Sequence, residues 1–387
     1  MKKIYYIGYY SDLSDKSNRK TAPAADTKMD YIISSMQKMG YEVEVLSFCI
    51  DDDRKKIFEK KPGYEIEKNG AHIVFFSNYT SKYRFLRVIG RMLSWIKIKN
   101  FLCKKCMTDE SVVIIYHSLG LLKVINLFEK KEKKFILEME EVYADVIGKS
   151  IIRKKEVKTA YKASGYIFPT EILNSKINIE SKPFVIIHGT YQVEMDRKCE
   201  IFKNLQTNKD EIIHCVYAGT FDPRKGGAAA AAAATFLPAG YHIHIIGFGS
   251  DKETKEMKKY ISEVAKRSAA KVSYDGLLTG EEYIKFLQSC DIGLSTQNPD
   301  AMFNATSFPS KILSYMANGL RVVSIRIPAI MGSDVGSYMY YYEKQTPAEI
   351  AKTIISVDMN DEYNGREIIR ELDVKFCYEL AELLRRI

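Results

Sequence analysis

The chain has 387 residues, a length that suits two domains better than one hydrophobic core. Its composition, 46% hydrophobic and 12% aromatic, is typical of a well-packed soluble protein, and no apolar run reaches the ~20 residues that span a bilayer. Residues 1–205 hold 37 Lys and Arg against 26 Asp and Glu, a basic excess that suits anionic lipid; because no nucleic-acid-binding motif is present, no nucleic-acid partner is predicted.

The seven cysteines are scattered and form no disulfide framework. An odd, unpatterned set favours a reducing compartment and predicts a cytoplasmic location. Cys103 and Cys106 have the spacing of a redox or half-zinc motif, but no second Cys/His pair stands at ligand spacing. We interpret the pair as coincidence, see no cluster of metal ligands in the sequence, and predict no metal site.

Short β-rich runs alternate with helical stretches in the first half, which predicts βα units and a parallel sheet. Met29–Met39 is an amphipathic helix that ends at Gly40. The predicted strands are Lys3–Tyr9, Glu42–Ser47, His72–Phe76, Val112–His117, Lys134–Glu138, Gly165–Pro169 and Phe184–His188.

A second βα series follows. Its predicted strands are Ile212–Ala218, Tyr241–Ile246, Val272–Asp275, Ile292–Ser295 and Arg321–Ser324, and its helices are Gly226–Phe236, Asp251–Ala265, Thr279–Ser289 and Pro309–Asn318. The polar stretch between Tyr191 and Asp210 is the predicted boundary. We therefore expect domains at 1–195 and 210–363, followed by a C-terminal helix at 364–387 that can pack back on the N-terminal domain. Ligands of such sheets bind beyond the carboxyl ends of the strands.

The strongest motif is the run NATSFPSKIL at Asn304–Leu313. Pro309 is expected at the first helical position, where proline is tolerated. The N–H groups of that first turn, the hydroxyls of Ser307 and Ser310 and the ammonium of Lys311 would form an anion site. An ordinary capped helix with a surface lysine fits this run equally well.

Three more strand ends carry glycine turns. VYAGTFDPRKGG at Val216–Gly227 brings two cations and two glycines to a helix start, which is phosphate-cradle architecture. IIGFGSD at Ile245–Asp251 is a weaker Gly-x-Gly turn. In the turn after Asp275, Thr279 and Glu282 predict a capping box.

In order and spacing these four motifs resemble the donor domain of GT-B-fold glycosyltransferases. Within that class they are most similar to the retaining, glycogen-synthase-like family four enzymes of bacterial surface-polysaccharide biosynthesis, over residues 212–325. The resemblance implies an α/β fold of two Rossmann-like, doubly wound domains facing each other across a cleft. It also implies a metal-independent hexosyltransferase that takes a UDP- or GDP-sugar as substrate, needs no cofactor, and acts on a glycan or lipid-linked acceptor.

The resemblance also assigns site residues. It places the donor diphosphate at Thr220, Arg224, Lys225, Ser307, Ser310 and Lys311, and the donor pocket at Gly247, Gly249, Leu277 and Phe308. Two departures stand out. Thr220 occupies the place of the family's usual arginine, and Thr306 and Ser314 occupy those of its two glutamates. The second glutamate normally binds the donor ribose, so ribose recognition is left open.

Candidates in the first half follow predicted strands. His117 ends one strand, at the place where the family often has a histidine that contacts the transferred sugar; a histidine merely exposed after a strand is the alternative. Glu140 and Glu141 follow the next strand and would bind or deprotonate an acceptor hydroxyl, unless they lie on a solvated loop. Asn18 and Arg19 are candidates on the loop after the first strand.

Lys82–Lys105 contains eight Lys and Arg, no acidic residue and the only tryptophan. Helical spacing gives it an apolar face and a basic face, the pattern of an interfacial helix on anionic lipid. We predict peripheral contact with the inner face of the cytoplasmic membrane. The alternative is a helix whose apolar face packs on the core.

Three other functions remain open. A GT-B-type nucleotide-sugar epimerase would share the phosphate site without needing an acceptor. A non-catalytic binding or scaffold protein of a polysaccharide pathway would fit the absent glutamates. A Rossmann dehydrogenase fits worst, because no Gly-x-Gly-x-x-Gly follows the first strand.

Overall fold

The computed structural model describes residues 2–11, 19, 23–51, 53–107, 111–196 and 212–387. The chain divides into two compact units. The first comprises Met1–Pro169, Leu173–Ile187 and Phe376–Ile387, and the second comprises Thr170–Ile172 and His188–Lys375. Among the helices in the described ranges, none is long and apolar enough to cross a bilayer.

An eight-stranded sheet forms the first unit. The strands of this unit are β1 Lys3–Gly8, β2 Glu42–Ser47, β3 Glu59–Lys61, β4 Tyr64–Lys68, β5 Ala71–Phe75, β6 Asn78–Thr80, β7 Ser111–Tyr116, β8 Ile136–Glu138, β9 Gly165–Phe168 and β10 Phe184–Ile186. The spatial order is β10-β9-β8-β7-β1-β2-β5-β4, and β4 alone runs antiparallel to its neighbour. β3 and β6 form a separate antiparallel pair.

Helices cover this sheet. They are α1 Pro23–Lys38, α2 Arg84–Lys105, α3 Leu122–Lys130, α4 Tyr143–Val146, α5 Ser150–Ala160 and α6 Glu171–Ile177. The central strand β7 has the sequence SVVIIY and is buried along its whole length. A continuous β-branched run of this kind suits a parallel strand that is covered on both faces.

A six-stranded, wholly parallel sheet forms the second unit. Its strands are β11 Ile213–Thr220, β12 Tyr241–Phe248, β13 Lys271–Gly276, β14 Ile292–Ser295, β15 Arg321–Ile325 and β16 Met339–Tyr342. The order β13-β12-β11-β14-β15-β16 reverses direction at β11, so β11 and β14 flank a topological switch point. Open α/β sheets bind their ligands at such a point.

The helices of the second unit are α7 Gly227–Ala232, α8 Asp251–Ala265, α9 Gly280–Gln288, α10 Lys311–Ala317, α11 Pro328–Met331, α12 Pro347–Ile355 and α13 Gly365–Arg386. Short 3₁₀ turns occur at Pro223–Lys225, Ala233–Phe236, Met302–Ala305 and Gly336–Tyr338. The last helix begins in the second unit, and its final turns, from Phe376, belong to the first.

Three local predictions need correction. The helix expected from Pro309 begins at Lys311, because Ile312 and Leu313 bond back to carbonyls only three residues earlier, at Pro309 and Ser310. The alanine-rich helix ends at Ala232 and tightens into a 3₁₀ turn.

The capping box predicted at Thr279 is wrong, since its side chain makes no capping hydrogen bond. A capping box does occur one helix earlier, where Ser250 accepts from the Glu253 N–H and the Glu253 carboxylate accepts from the Ser250 N–H.

Candidate functional site

A cavity of about 210 Å³ lies at the carboxyl ends of β11 and β12. Its walls are Ala218, Gly219, Thr220, Ile246, Gly247, Phe248, Leu277, Leu278 and Tyr283. The strands that open it are adjacent, with Gly219 paired in register with Gly247. The cavity therefore sits next to the switch point, where ligands of this sheet architecture bind.

Two glycines at or near this cavity lie in tight backbone contacts. Gly247 has φ +134°, and a Cβ there would lie 1.8 Å from the Gly219 carbonyl oxygen. Gly226, which follows the Pro223–Lys225 turn, has φ +86°, and its Cβ would lie 1.6 Å from the Thr296 carbonyl. Neither position tolerates a side chain without backbone movement.

The Lys311 ammonium is buried beside this opening. Its Nζ lies 3.8 Å from the centre of the Tyr217 ring and 3.1 Å from where a Gly219 Cβ would stand. Within the described ranges no atom hydrogen-bonds this nitrogen. Burial, with a smaller contribution from the neighbouring Lys225 charge, lowers the pKa of Lys311 to about 7. A buried cation next to a second cation strongly favours an anionic ligand.

The Pro223–Lys225 turn carries the other predicted cations. The Tyr217 hydroxyl lies 3.1 Å from the carbonyl oxygens of both Thr220 and Lys225, which fixes the turn above the ring. The Arg224 guanidinium is held by Asp222 at 2.6 to 3.1 Å. Thr220, Lys225 and Lys311 therefore converge around Tyr217, whereas Arg224 is engaged within its own turn.

The other donor-site predictions divide into two groups. Gly247 and Leu277 line the cavity together with Thr220. Gly249 and Phe308 are not among the lining residues: Gly249 packs toward Glu253, and Phe308 is buried against the His188 ring at 4.9 Å. Ser310 is exposed and Ser307 is partly exposed.

Ser314 replaces the expected ribose-binding glutamate, and its surroundings were not predicted. Its Oγ lies 3.3 Å from the hydroxyl of Tyr283, which lines the cavity. Burial raises the pKa of Tyr283, so this hydroxyl stays neutral. Tyr283 belongs to no motif; its one sequence signal is its place in the helix that follows the Asp275 turn.

His117 in the first unit is buried, so the alternative of a histidine merely exposed after a strand is wrong. The rings of His117 and Tyr143 stack at 5.6 Å. Burial lowers the pKa of His117 to about 4, so the imidazole is neutral at pH 7. Its Nε2 lies 3.4 Å from a Glu156 oxygen, and that carboxylate accepts the N–H groups of Tyr143 and Ala144. The segments that carry Tyr143 and Glu156 therefore cover the His117 side chain.

The acidic candidates lie after β8. Glu140 forms an ion pair with Lys28, and Lys28 also donates to the Ile187 carbonyl at 3.2 Å. Glu141 is partly exposed. Sequence inspection missed Glu138, the last residue of β8, which is fully buried and accepts a hydrogen bond from the Tyr6 hydroxyl. Burial, reinforced by the Glu140 charge, raises the pKa of Glu138 to about 7.

Of the two loop candidates, Asn18 lies outside the described residues. Arg19 is buried and donates to the carbonyls of Cys49 and Pro62. Its guanidinium also lies 5.1 Å from the Tyr64 ring. The Arg19 guanidinium is therefore held by backbone carbonyls and an aromatic ring of the first unit.

The helix Arg84–Lys105 presents a second surface. Large apolar side chains here and just before it are 40–64% exposed: Tyr83, Phe85, Val88, Ile89, Met92, Leu93 and Ile96. Its inward stripe is instead Gly90, Ser94, Ile98 and Leu102. The alternative in which the apolar face packs on the core is therefore wrong for the first three turns, and holds only in the later turns, at Ile98 and Leu102.

No protein-family model matches the chain, and no curated protein matches it. Solved structures do. Sucrose-phosphate synthase from Thermosynechococcus elongatus is 12% identical, with a TM-score of 0.67 over 100% of this chain and 99% of that one. Anabaena HepE in complex with UDP is 12% identical, with a TM-score of 0.66 over 100% of both chains.

A third structure, the E. coli trehalose-6-phosphate structure bound with UDP-2-fluoro glucose, is 10% identical, with a TM-score of 0.62 over 99% of both chains. These neighbours have the GT-B fold, and the likeness gives this chain the same fold with two Rossmann-like domains. The predicted fold class is confirmed. The narrower resemblance to the family four enzymes stays a prediction.

Proposed function

We propose that this protein is a glycosyltransferase that moves a sugar from a UDP- or GDP-linked donor to a glycan or lipid-linked acceptor in polysaccharide biosynthesis. The observation that carries the proposal is the buried ammonium of Lys311, which lies beside Gly219 with Lys225 nearby. Two structures of the same fold, described as complexes with UDP and with UDP-2-fluoro glucose, add support.

The chemistry proposed for this site is stabilisation of a leaving diphosphate. When the bond between sugar and diphosphate breaks, negative charge accumulates on the diphosphate oxygens. Lys311 and Lys225 would neutralise that charge, and a cation in a water-poor site does so more effectively than one in bulk water. On this basis we propose metal-independent transfer, and the resemblance to the retaining family four enzymes leads us to propose retention of the anomeric configuration.

The cavity walls suit the rest of the donor. Phe248 and Leu277 expose apolar surface that can pack on a nucleobase. The Ser314–Tyr283 hydroxyl pair stands where the resembling enzymes have a carboxylate, and we propose that it binds the ribose hydroxyls. A neutral pair replaces a charged acceptor here, so weaker ribose binding is expected.

Acceptor chemistry is proposed for the first unit. Glu140 and Glu141 would bind or help deprotonate the attacking hydroxyl. Neutral His117 would hydrogen-bond the transferred sugar only when Tyr143 and Glu156, which cover it, move aside. None of these groups is expected to act as a strong base, so most of the rate enhancement is expected to come from positioning the donor and the acceptor.

Donor binding is tested by thermal shift with UDP and GDP. One of them should raise the unfolding temperature as its concentration rises, and Lys311→Ala should remove most of that shift. Lys258→Ala is the matched control, because Lys258 also lies over a tyrosine ring, at 5.1 Å from the centre of Tyr274. An unchanged shift in Lys311→Ala would show that the diphosphate binds elsewhere.

Turnover is tested by incubating the protein with UDP- and GDP-sugars, with and without glycan acceptors. Sugar transfer that requires the acceptor supports the proposal. An epimerised donor formed without an acceptor would favour an epimerase. Absence of UDP and GDP binding at millimolar concentration would favour a non-catalytic scaffold.

We also propose that the helix Arg84–Lys105 lies on an anionic membrane and brings the protein to a lipid-linked acceptor. Phe85 and Met92 are 64% and 63% exposed on a helix that carries several Lys and Arg. Exposed apolar side chains flanked by cations bind the headgroup region of anionic bilayers.

Co-sedimentation with vesicles, with and without anionic phospholipid, tests this surface. Wild type should sediment with the anionic vesicles, and the double variant Phe85→Asp, Met92→Asp should not. Ile151→Asp is the control, since Ile151 is 92% exposed in the same unit but outside this helix. Equal sedimentation of the double variant and wild type would contradict the membrane proposal.

A further inference from the structure

Three histidines cluster on the second sheet: His214 on β11, and His242 and His244 on β12. One ligand nitrogen from each ring lies within 4.8 Å of those of the other two. No cluster of metal ligands was seen in the sequence. The one sequence signal of this cluster is the alternation His242-Ile243-His244 on a predicted strand.

Register brings the three rings together. His214 pairs with His242 across β11 and β12, and His244 lies two residues further along. Side chains two apart on a strand point to the same face, so all three imidazoles project from one side of the sheet. His214 precedes Gly219 by five residues, roughly 16 Å along the strand, which separates the cluster from the donor cavity.

The hydrogen bonds around His244 prepare it for a cation. Its Nδ1 lies 3.1 Å from an Asp275 oxygen, and its Nε2 lies 2.9 Å from His214 Nδ1. With Asp275 accepting the Nδ1 proton, His244 Nε2 carries a lone pair directed at His214. A carboxylate behind a histidine is the usual arrangement that orients metal-binding imidazoles.

The third ring is also oriented. His242 Nε2 lies 2.9 Å from the Ser273 hydroxyl, and Ser273 donates to Asp275 at 2.8 Å.

We propose that His214, His242 and His244 form a binding site for a divalent transition metal, Zn²⁺ in the first instance. Three imidazoles suit Zn²⁺ and leave a fourth position for water. Binding requires that the His214 proton move from Nδ1 to Nε2, so that the lone pairs of His214 and His244 both face the metal. It also requires these two nitrogens to separate from 2.9 Å to ~3.3 Å, the distance between two ligands ~2.0–2.1 Å from a tetrahedral ion. His214 and His242 are partly exposed, which gives the ion access from solvent.

The bound metal ties β11 to β12, while Asp275 on β13 holds one of its ligands. It stabilises the native sheet and takes no part in the donor chemistry, so the site is independent of the proposed function. Zn²⁺ bound only by the native state raises the unfolding temperature.

The test is calorimetric titration of Zn²⁺ into the chelator-treated full chain. One ion per chain with micromolar or tighter affinity is expected. The variants His214→Gln and His242→Gln should each bind at least about 100-fold more weakly, while Asp275→Asn, which keeps all three ligands, should lose about tenfold. His72→Gln is the control, since His72 is partly exposed in the first unit beside Glu65.

Co²⁺ binding gives a second readout that does not depend on activity. A visible spectrum without a thiolate band is expected, because Cys215 follows His214 directly on β11 and its side chain therefore projects from the opposite face of the sheet. The proposal is overturned if no stoichiometric Zn²⁺ binds, if His214→Gln and His242→Gln bind as tightly as wild type, or if Co²⁺ shows thiolate ligation.

Discussion

The two sheets, parallel except at β4, differ at their carboxyl edges. In the first sheet, the large buried side chains of Tyr116 and Glu138 occupy the ends of β7 and β8, and Tyr6 on β1 donates a hydrogen bond to Glu138. In the second, Gly219 and Gly247 lie one residue before the ends of β11 and β12 and line a cavity. At β7 and β8 the first edge is filled by its own side chains, whereas the second edge leaves room for a ligand.

Each edge also buries a group whose pKa is shifted to about 7, and the two groups differ in their partners. Desolvation raises the pKa of Glu138 to about 7 and lowers that of Lys311 to about 7. One Glu138 oxygen accepts a hydrogen bond from Tyr6, whereas the Lys311 nitrogen has no hydrogen-bond partner in the described part of the chain. A buried ammonium without any partner marks a ligand site more clearly than a buried acid with one.

The largest expected effect is that of Gly247→Ala. The added methyl group meets the Gly219 carbonyl at 1.8 Å with φ at +134°, so a loss of more than about 3 kcal/mol is expected in urea unfolding. Gly240→Ala is the control for backbone strain alone, with φ +96° and no atom within 4 Å, and should cost about 1 kcal/mol.

Gly8→Ala extends this test to the first sheet. Its methyl group would meet chiefly the flexible end of Met29, so it should cost less than Gly247→Ala. If Gly8→Ala and Gly247→Ala lower the free energy of unfolding equally, the proposed difference between the two edges is contradicted.

Lys311→Met should stabilise the protein while weakening UDP binding. Removing a buried amine without a hydrogen-bond partner relieves its desolvation, and a gain of about 1–2 kcal/mol is expected in the same unfolding assay. Lys258→Met, which changes a lysine over another tyrosine ring, should leave the unfolding free energy unchanged. Destabilisation by Lys311→Met would mean that the ammonium stabilises the unliganded protein, and its burial would then not indicate a ligand site.

UDP affinity should fall as the pH rises from 7 to 9. The Lys311 ammonium loses its proton as pH passes its pKa of about 7, and the diphosphate prefers the protonated form. The dissociation constant is expected to rise by up to about tenfold per pH unit, and the slope should vanish in Lys311→Met. A flat wild-type profile in calorimetry would assign the diphosphate to another cation.

The smallest effect concerns the first sheet. Between pH 4.5 and 7 folded Glu138 keeps a proton that the unfolded chain has lost, so its contribution to stability is lost as pH rises through that range. Glu138→Gln should therefore be stabilised relative to wild type more at pH 7.5 than at pH 5. The gain in the free energy of unfolding should differ by about 1 kcal/mol between the two pH values, as measured by thermal unfolding. Exposed Glu180→Gln should show no such difference; a pH-independent effect of Glu138→Gln would contradict the raised pKa.

Strand-end turns were the most predictable part of the molecule. A strand, a glycine and a helix start are adjacent in sequence, so Gly219 and Gly247 could be placed without knowledge of the fold. β4 was missed although its signal is local. Its alternating residues, Glu65 and Glu67 among them, are polar, but it joins β5 through the two-residue turn Asn69-Gly70, whose positive φ angles of 51° and 77° are those of a hairpin turn.

Burial was the least predictable property of the site. His117 ends a strand, yet Tyr143 and Glu156 cover it from later segments. Lys311 is buried by Tyr217 and Gly219, more than ninety residues earlier in the chain. The histidine cluster similarly depends on the register that sets His214 opposite His242. Each depends on packing between segments that only the folded structure brings together.

The division of the last helix has a consequence for synthesis. Phe376–Ile387 completes the first unit, where Leu383 and Ile387 pack against Gly165, yet the ribosome makes it only after residues 188–375. At ~5–20 residues per second that interval is roughly ten to forty seconds. Throughout that interval the first unit lacks the segment that packs against Gly165, so it can be completed only after the second unit has been synthesised.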